Sequence, residues 1–145
     1  MTTRVVFYDV ATAARAPRIH RLVEAAWERR KRLLIHCADA TAARALDEGL
    51  WCHDDTSFLP HEVVAPGGRP RDADARVVIV YAEEDPISAE LLLQVDPVSL
   101  DFAASFDVVI DWVDHRSPPQ LEESRARFRA WRDKGLVPEH RREGG

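Results

Sequence analysis

Arg125, Phe128, Arg129 and Arg132 recur at i, i+3, i+4 and i+7, so one helical face carries an aromatic ring among guanidinium groups. Such a face can hold carboxylates, because the guanidinium fork matches two carboxylate oxygens while the ring offers an apolar rim to a neighbouring side chain. The same pattern describes an ordinary solvated helix face. It also suits direct contact with single-stranded nucleic acid, with Trp131 stacking on a base. Leu121, Ser124, Phe128 and Trp131 form the adjoining stripe that should pack on a sheet, which puts Phe128 on the border between the apolar and basic faces.

Other chemistry is thinly supported. His36-Cys37 and Cys52-His53 supply ligand types of a zinc site, but neighbours on an extended strand point to opposite faces, so His36 and Cys37 do not readily share one ion. Glu83-Glu84-Asp85 offers hard oxygen donors for Mg²⁺, and Asp111, Asp114 and His115 follow a strand where α/β sites often form. No Ser, His or Lys is placed to complete a catalytic set, and acidic residues in such positions commonly solvate a loop or cap a helix. The first glycine of the chain is Gly49, so the turn after the opening strand has no glycine to let backbone amides approach a pyrophosphate. Neither an enzyme nor a cofactor is expected.

The charge is divided along the chain. Residues 125 to 145 hold seven Arg and Lys against three Asp and Glu, so the net −5 of the whole chain leaves −9 on residues 1 to 124. General attraction to nucleic acid is therefore disfavoured, and cationic character is concentrated at one end. Two cysteines in a chain able to build a core do not indicate a disulfide framework. The absence of a long apolar run excludes a membrane-spanning helix, and a soluble, cytoplasmic protein is expected.

The elements that must position these residues read as one α/β domain over residues 1–145, with a mostly parallel sheet of about five strands flanked by helices, Rossmann-like but without a nucleotide site. Val5-Val6-Phe7-Tyr8 opens as a strand, and Pro17 suits the first turn of a helix whose stripe includes Ile19, Val23, Ala26 and Trp27. Leu33-Leu34-Ile35, Val77-Val78-Ile79-Val80, Leu91-Leu92-Leu93 and Val108-Val109-Ile110 read as further strands. Asp39 or Thr41 suits the N-cap of a helix that Gly49 should end. Residues 65–75 are rich in turn-formers and should be a mobile loop, and residues 138–145 a frayed tail.

Beyond Gly49, Trp51 and Phe58 flank a polar stretch that Pro60 closes, where aromatic rings either cap a core or form a contact surface. These residues carry a resemblance. Leu46-Asp47-Glu48-Gly49-Leu50-Trp51 followed by Ser57-Phe58-Leu59-Pro60-His61 resembles the chi subunit of the bacterial DNA polymerase III holoenzyme. So do Trp27, Lys31-Arg32-Leu33-Leu34-Ile35, Ala38-Asp39, Phe102, Phe106-Asp107-Val108-Val109-Ile110-Asp111 and the helix from Arg125 to Arg132. The matching pieces run in order from Phe7 to about Gly135.

The resemblance implies a non-catalytic accessory subunit of the clamp-loader assembly. Arg125, Phe128 and Arg129 match positions that in the family bind the acidic, Phe-terminated tail of single-stranded DNA-binding protein. Arg132 extends that face, and Val113 is expected to line the slot for the terminal ring. Trp51 and Phe58 match the surface for the psi subunit, or for a competing helicase. One departure is the run Leu121-Glu122-Glu123, where the family often carries a further basic residue; Arg127, Arg132 or Lys134 is expected to compensate.

Overall fold

A computed structural model describes residues 3–52 and 59–142, with Cys52 described by its backbone alone. Among the described residues seven strands form one sheet: β1 (Arg4–Asp9), β2 (Leu33–His36), β3 (Glu62–Val64), β4 (Val77–Val80), β5 (Leu91–Gln94), β6 (Val108–Trp112) and β7 (Glu139–Arg142). Their spatial order is β3-β4-β2-β5-β6-β1-β7, and every pairing is parallel. The strands read from periodicity are all present. The two additional ones, β3 and β7, are the two edges, which are short and lack a continuous apolar run.

Helices cover the faces, among the described residues α1 (Arg15–Glu28), α2 (Ala40–Cys52), α3 (Leu100–Ala103) and α4 (Pro118–Asp133). Alternation along the strands sorts the core into two layers. Val6, Tyr8, Leu33, Ile35 and Ile79 pack with Ile19, Val23 and Ala26 of α1 and with Ala43 and Leu50 of α2. Val5, Phe7, Leu34, Val78 and Val109 pack with Ala103 of α3 and Trp131 of α4. Burial on both faces is what a parallel sheet requires, and it explains the near-continuous Val/Leu/Ile runs.

Several local expectations change. Gly49 does not stop α2, which continues to Cys52; a Cβ there would meet nothing within 4 Å, so the glycine is a tolerated interior residue. Trp51 is thus on the last helical turn, while Phe58 and His53 lie outside the described residues. Asp39 caps α2, its Oδ1 accepting from the Ala42 N–H at 2.8 Å. Ser117 caps α4 by accepting from the Gln120 N–H, with Pro118 and Pro119 in the first turn.

The chain end is not frayed over Glu139–Arg142, which pairs with Val6–Asp9 of β1. Gly135, at φ +95°, makes the turn possible: the Leu136 N–H donates to Trp131 O at 3.1 Å, reversing the chain off α4 toward β7. Residues 65–75 form an exposed loop that is anchored to its surroundings. Glu62 accepts from the Arg71 and Asp72 N–H groups at 2.7 and 3.0 Å, and Glu84 from the Gly67 N–H at 2.7 Å.

Candidate functional site

Parallel strands share one direction, so the carboxyl ends of β1, β6 and β7 open on the same edge of the sheet. There, α4 and the edge strand β7 rise on either side of β1 and enclose a groove of about 420 Å³. Its floor is apolar: Phe7, Val113, Leu121 and Phe128 line it, and the Phe7 and Phe128 rings meet edge-to-face with centroids 5.1 Å apart. Arg125 lines the α4 wall. Arg142 and His140 line the β7 wall, because register sets His140 beside Phe7 and Arg142 beside Asp9.

Among the described residues, Asp9 is the acidic group lining this groove. His115 and His140 both donate to its carboxylate from Nε2, the latter at 2.9 Å, and Arg142 Nε lies 3.9 Å away. Burial raises the pKa of this carboxyl, but the two imidazole hydrogen bonds outweigh it and hold Asp9 below the ordinary carboxylate range. The position of α4 over the groove is set by Ser124, which is buried, donates to Leu121 O and accepts the Asp114 N–H at 3.1 Å.

The structure thus brings Arg125, Phe128 and Val113 to one groove and separates the other two residues of the basic face from its lining. Arg129 turns to Glu122, Nη2 to Oε1 at 3.0 Å, with both side chains exposed. Arg132 is exposed one turn further along α4. Arg127 does not strengthen the face: it crosses to the sheet and donates to the buried Asp111 at 2.7 and 3.1 Å. Trp131 is 2% exposed and cannot stack on a base. The groove residues that sequence reasoning missed, Asp9, His140 and Arg142, include both contributions of β7, and the surplus of basic residues at the chain end was the available signal; His115, weighed only as a strand-end candidate, joins them here.

A second surface forms on the opposite edge. Helices joining parallel strands run back against them, so the ends of α1 and α2 arrive where β3 and β4 begin. Trp51, 41% exposed, stacks on His61 with ring centroids 4.0 Å apart, and its Nε1 donates to Asp47 at 3.2 Å. His61 is held in turn, Nδ1 at 2.7 Å from Leu59 O and Nε2 at 3.1 Å from Asp47 Oδ1. Trp27 lies beneath Arg76, whose guanidinium carbon is 3.8 Å from the ring centroid. These rings, with Pro60, line a notch of about 150 Å³. It continues through Asp72, Asp74 and Arg76 into an open depression of about 800 Å³ that Arg30, Arg32 and Arg69 border.

The remaining polar candidates have structural partners. Glu83 accepts from the Ser99 N–H and hydroxyl, and Asp85 from the Ile87 and Ala89 N–H groups. Asp114 takes the Arg116 guanidinium, which holds its carboxyl below the usual range against the effect of burial. His36 Nδ1 lies 2.7 Å from Asp96 O, and burial, with Asp96 and Asp39 nearby, pushes the Cys37 thiol up to about 12. Among the described residues no group of three or more His, Cys, Asp or Glu is arranged to hold a metal ion, and no helix is long and apolar enough to cross a membrane.

Comparison with known proteins identifies a family. The family model of the DNA polymerase III chi subunit, HolC, matches residues 1–139. DNA polymerase III subunit chi of Escherichia coli is 35% identical over 112 residues, covering 76% of this chain and 73% of that protein. The subunit of the same name from Pseudomonas aeruginosa is 29% identical over 143 residues, covering 96% of both, and that of Haemophilus influenzae is 26% identical over 115 residues, covering 79% and 77%. The chain belongs to the DNA polymerase III chi subunit family.

Proposed function

We propose that this member of the chi family is a non-catalytic bridge in the replicative polymerase assembly. The carboxyl-edge groove receives the acidic carboxyl-terminal tail of single-stranded DNA-binding protein, and the amino-edge aromatic surface receives the psi subunit or a partner that takes its place. The observation that carries the first half is the groove itself: an apolar floor built on Phe7, Val113 and Phe128 lies directly beside Arg125. A terminal Phe ring fits such a floor, while the free carboxylate and preceding Asp residues need the guanidinium groups at the rim.

The second half rests on placement. Trp51 and the stacked His61 stand at the amino edge, separated from the groove by the length of the strands, so the two partners need not compete. Two rings held by their own side-chain partners form a rigid surface of the kind that concentrates binding energy at interfaces. Association of the chain with nucleic acid is then indirect, through the coat protein.

A labelled tail peptide with and without its last Phe tests the reading. Tight, salt-sensitive binding of the complete peptide and loss of most affinity on removing the Phe are expected. Equal affinities would remove the ring slot from the account. Binding of naked oligonucleotide as strong as that of coated DNA would favour direct nucleic-acid contact instead.

A further inference from the structure

The groove has two walls, and only the helical one belongs to the basic face first recognised. On that helix, positive charge is partly cancelled: Arg129 pairs with Glu122 of its own helix, Glu123 follows, and Arg127 is turned inward to Asp111. Across the floor, the β7 wall presents His140 and Arg142, with the Arg142 side chain 77% exposed. The pairing of Phe7 with His140 and of Asp9 with Arg142 aims both side chains to the α4 side of the sheet. Glu139 and Arg141 alternate to the other side, where Arg141 reaches the Tyr8 hydroxyl at 3.4 Å.

We propose that β7 is a second cationic arm of the groove, in which Arg142 holds acidic residues of the bound peptide opposite Arg125 while His140 keeps Asp9 masked. This rests on the reading of the groove as a peptide-tail site and deepens it by naming where the chain preceding the terminal ring lies. Asp9 would repel such a ligand if it stood alone. It does not: His115 and His140 clamp its carboxylate, while Arg142 at 3.9 Å is only loosely engaged and can turn to an incoming anion. The groove therefore grips an anionic strand from both sides, with the apolar floor between.

The arm is also held firmly enough to serve. Arg4 fixes the start of β7 through two hydrogen bonds to Glu139, at 2.8 and 3.1 Å, and the backbone ladder to β1 holds the rest. Holding the strand in place before the peptide arrives reduces the ordering cost of binding.

The experiment is a fluorescence-anisotropy titration of the full chain with the labelled acidic peptide, complete and lacking its terminal Phe, at several salt concentrations. Arg142→Ala and His140→Ala should each weaken the complete peptide by about 2- to 5-fold, Arg142→Glu by about tenfold, and Arg142→Lys should retain most affinity. The salt dependence of Arg142→Ala should be shallower than that of the parent. The Phe-less peptide should show the same ratios between parent and variants, because the arm reads acidic residues and not the ring. If the parent chain binds and all four variants bind as it does, the arm is excluded while the groove stands. Failure of the parent chain to bind overturns the groove reading itself and the arm with it. Circular dichroism melts at parental temperature identify the exposed Arg142 variants as folded.

Discussion

At the carboxyl edge the molecule offers an open groove whose rim is charged and whose floor is apolar; at the amino edge it offers rings that already have partners. Arg125 and Arg142 stand at the groove with their guanidinium groups toward solvent. Trp51, by contrast, is stacked on His61 and bonded to Asp47, and Trp27 is covered by Arg76. Under the proposed function, the difference is between a site that would select by charge and one ring, and a site that would select by the shape of a preformed surface. The first should respond to salt strongly, the second weakly.

The largest expected effect breaks the groove alone. Phe128→Ala removes the edge-to-face partner of Phe7 and should cost about 1 to 3 kcal/mol of peptide affinity, leaving psi-type binding intact. Arg125→Ala should exceed Arg129→Ala in the same titration, because Arg129 is engaged with Glu122 and does not line the groove. The mirror test is Trp51→Ala, expected to lose about 1 to 2 kcal/mol against a psi partner in calorimetry while the peptide curve stays unchanged. If either substitution weakens both partners equally, the two edges are not independent sites.

Smaller effects sharpen the comparison. Gly135→Ala forces a side chain into φ +95° and should cost about 1 kcal/mol in urea unfolding, with a weaker peptide affinity following because β7 depends on that turn. Acid should loosen the groove wall. Arg4, and then Arg141, bond to the Glu139 carboxylate and hold its pKa at about 2, against 4.5 when free. A lowered folded value contributes stability that is present above about 4.5 and is lost as pH falls toward about 2. Glu139→Gln should flatten that part of a melting-temperature profile by a small amount, since the carboxylate is well solvated.

Much of this was legible from periodicity. Val/Leu/Ile runs marked the central strands because burial on both faces demands them, and Asp39 could be read as a cap because its side chain is the right type at the right distance from an apolar repeat. The apolar-basic border at Phe128 also followed from helical geometry. What could not be read was β7. Glu139-His140-Arg141-Arg142 has no β-branched residue and no apolar alternation; it is a strand because the exposed edge of β1 offers a ladder and Asp9, Tyr8 and Arg4 offer side-chain partners. The wall and its His140 and Arg142 were hidden for that reason. Gly49 misled in the other direction: an isolated glycine in a helix costs stability without obliging the helix to stop, and Leu50, at 5% exposed, anchors the last turn in the core.

The all-parallel sheet carries a mechanical implication. If one partner is attached where the strands finish and another where they start, a pull between them runs along the strand axes. Neighbouring strands are then asked to slide past each other, and their crosswise bonds share the load together instead of opening one after another like a zip. A sheet of strands aligned in this way resists such a load better than one pulled apart from its edge.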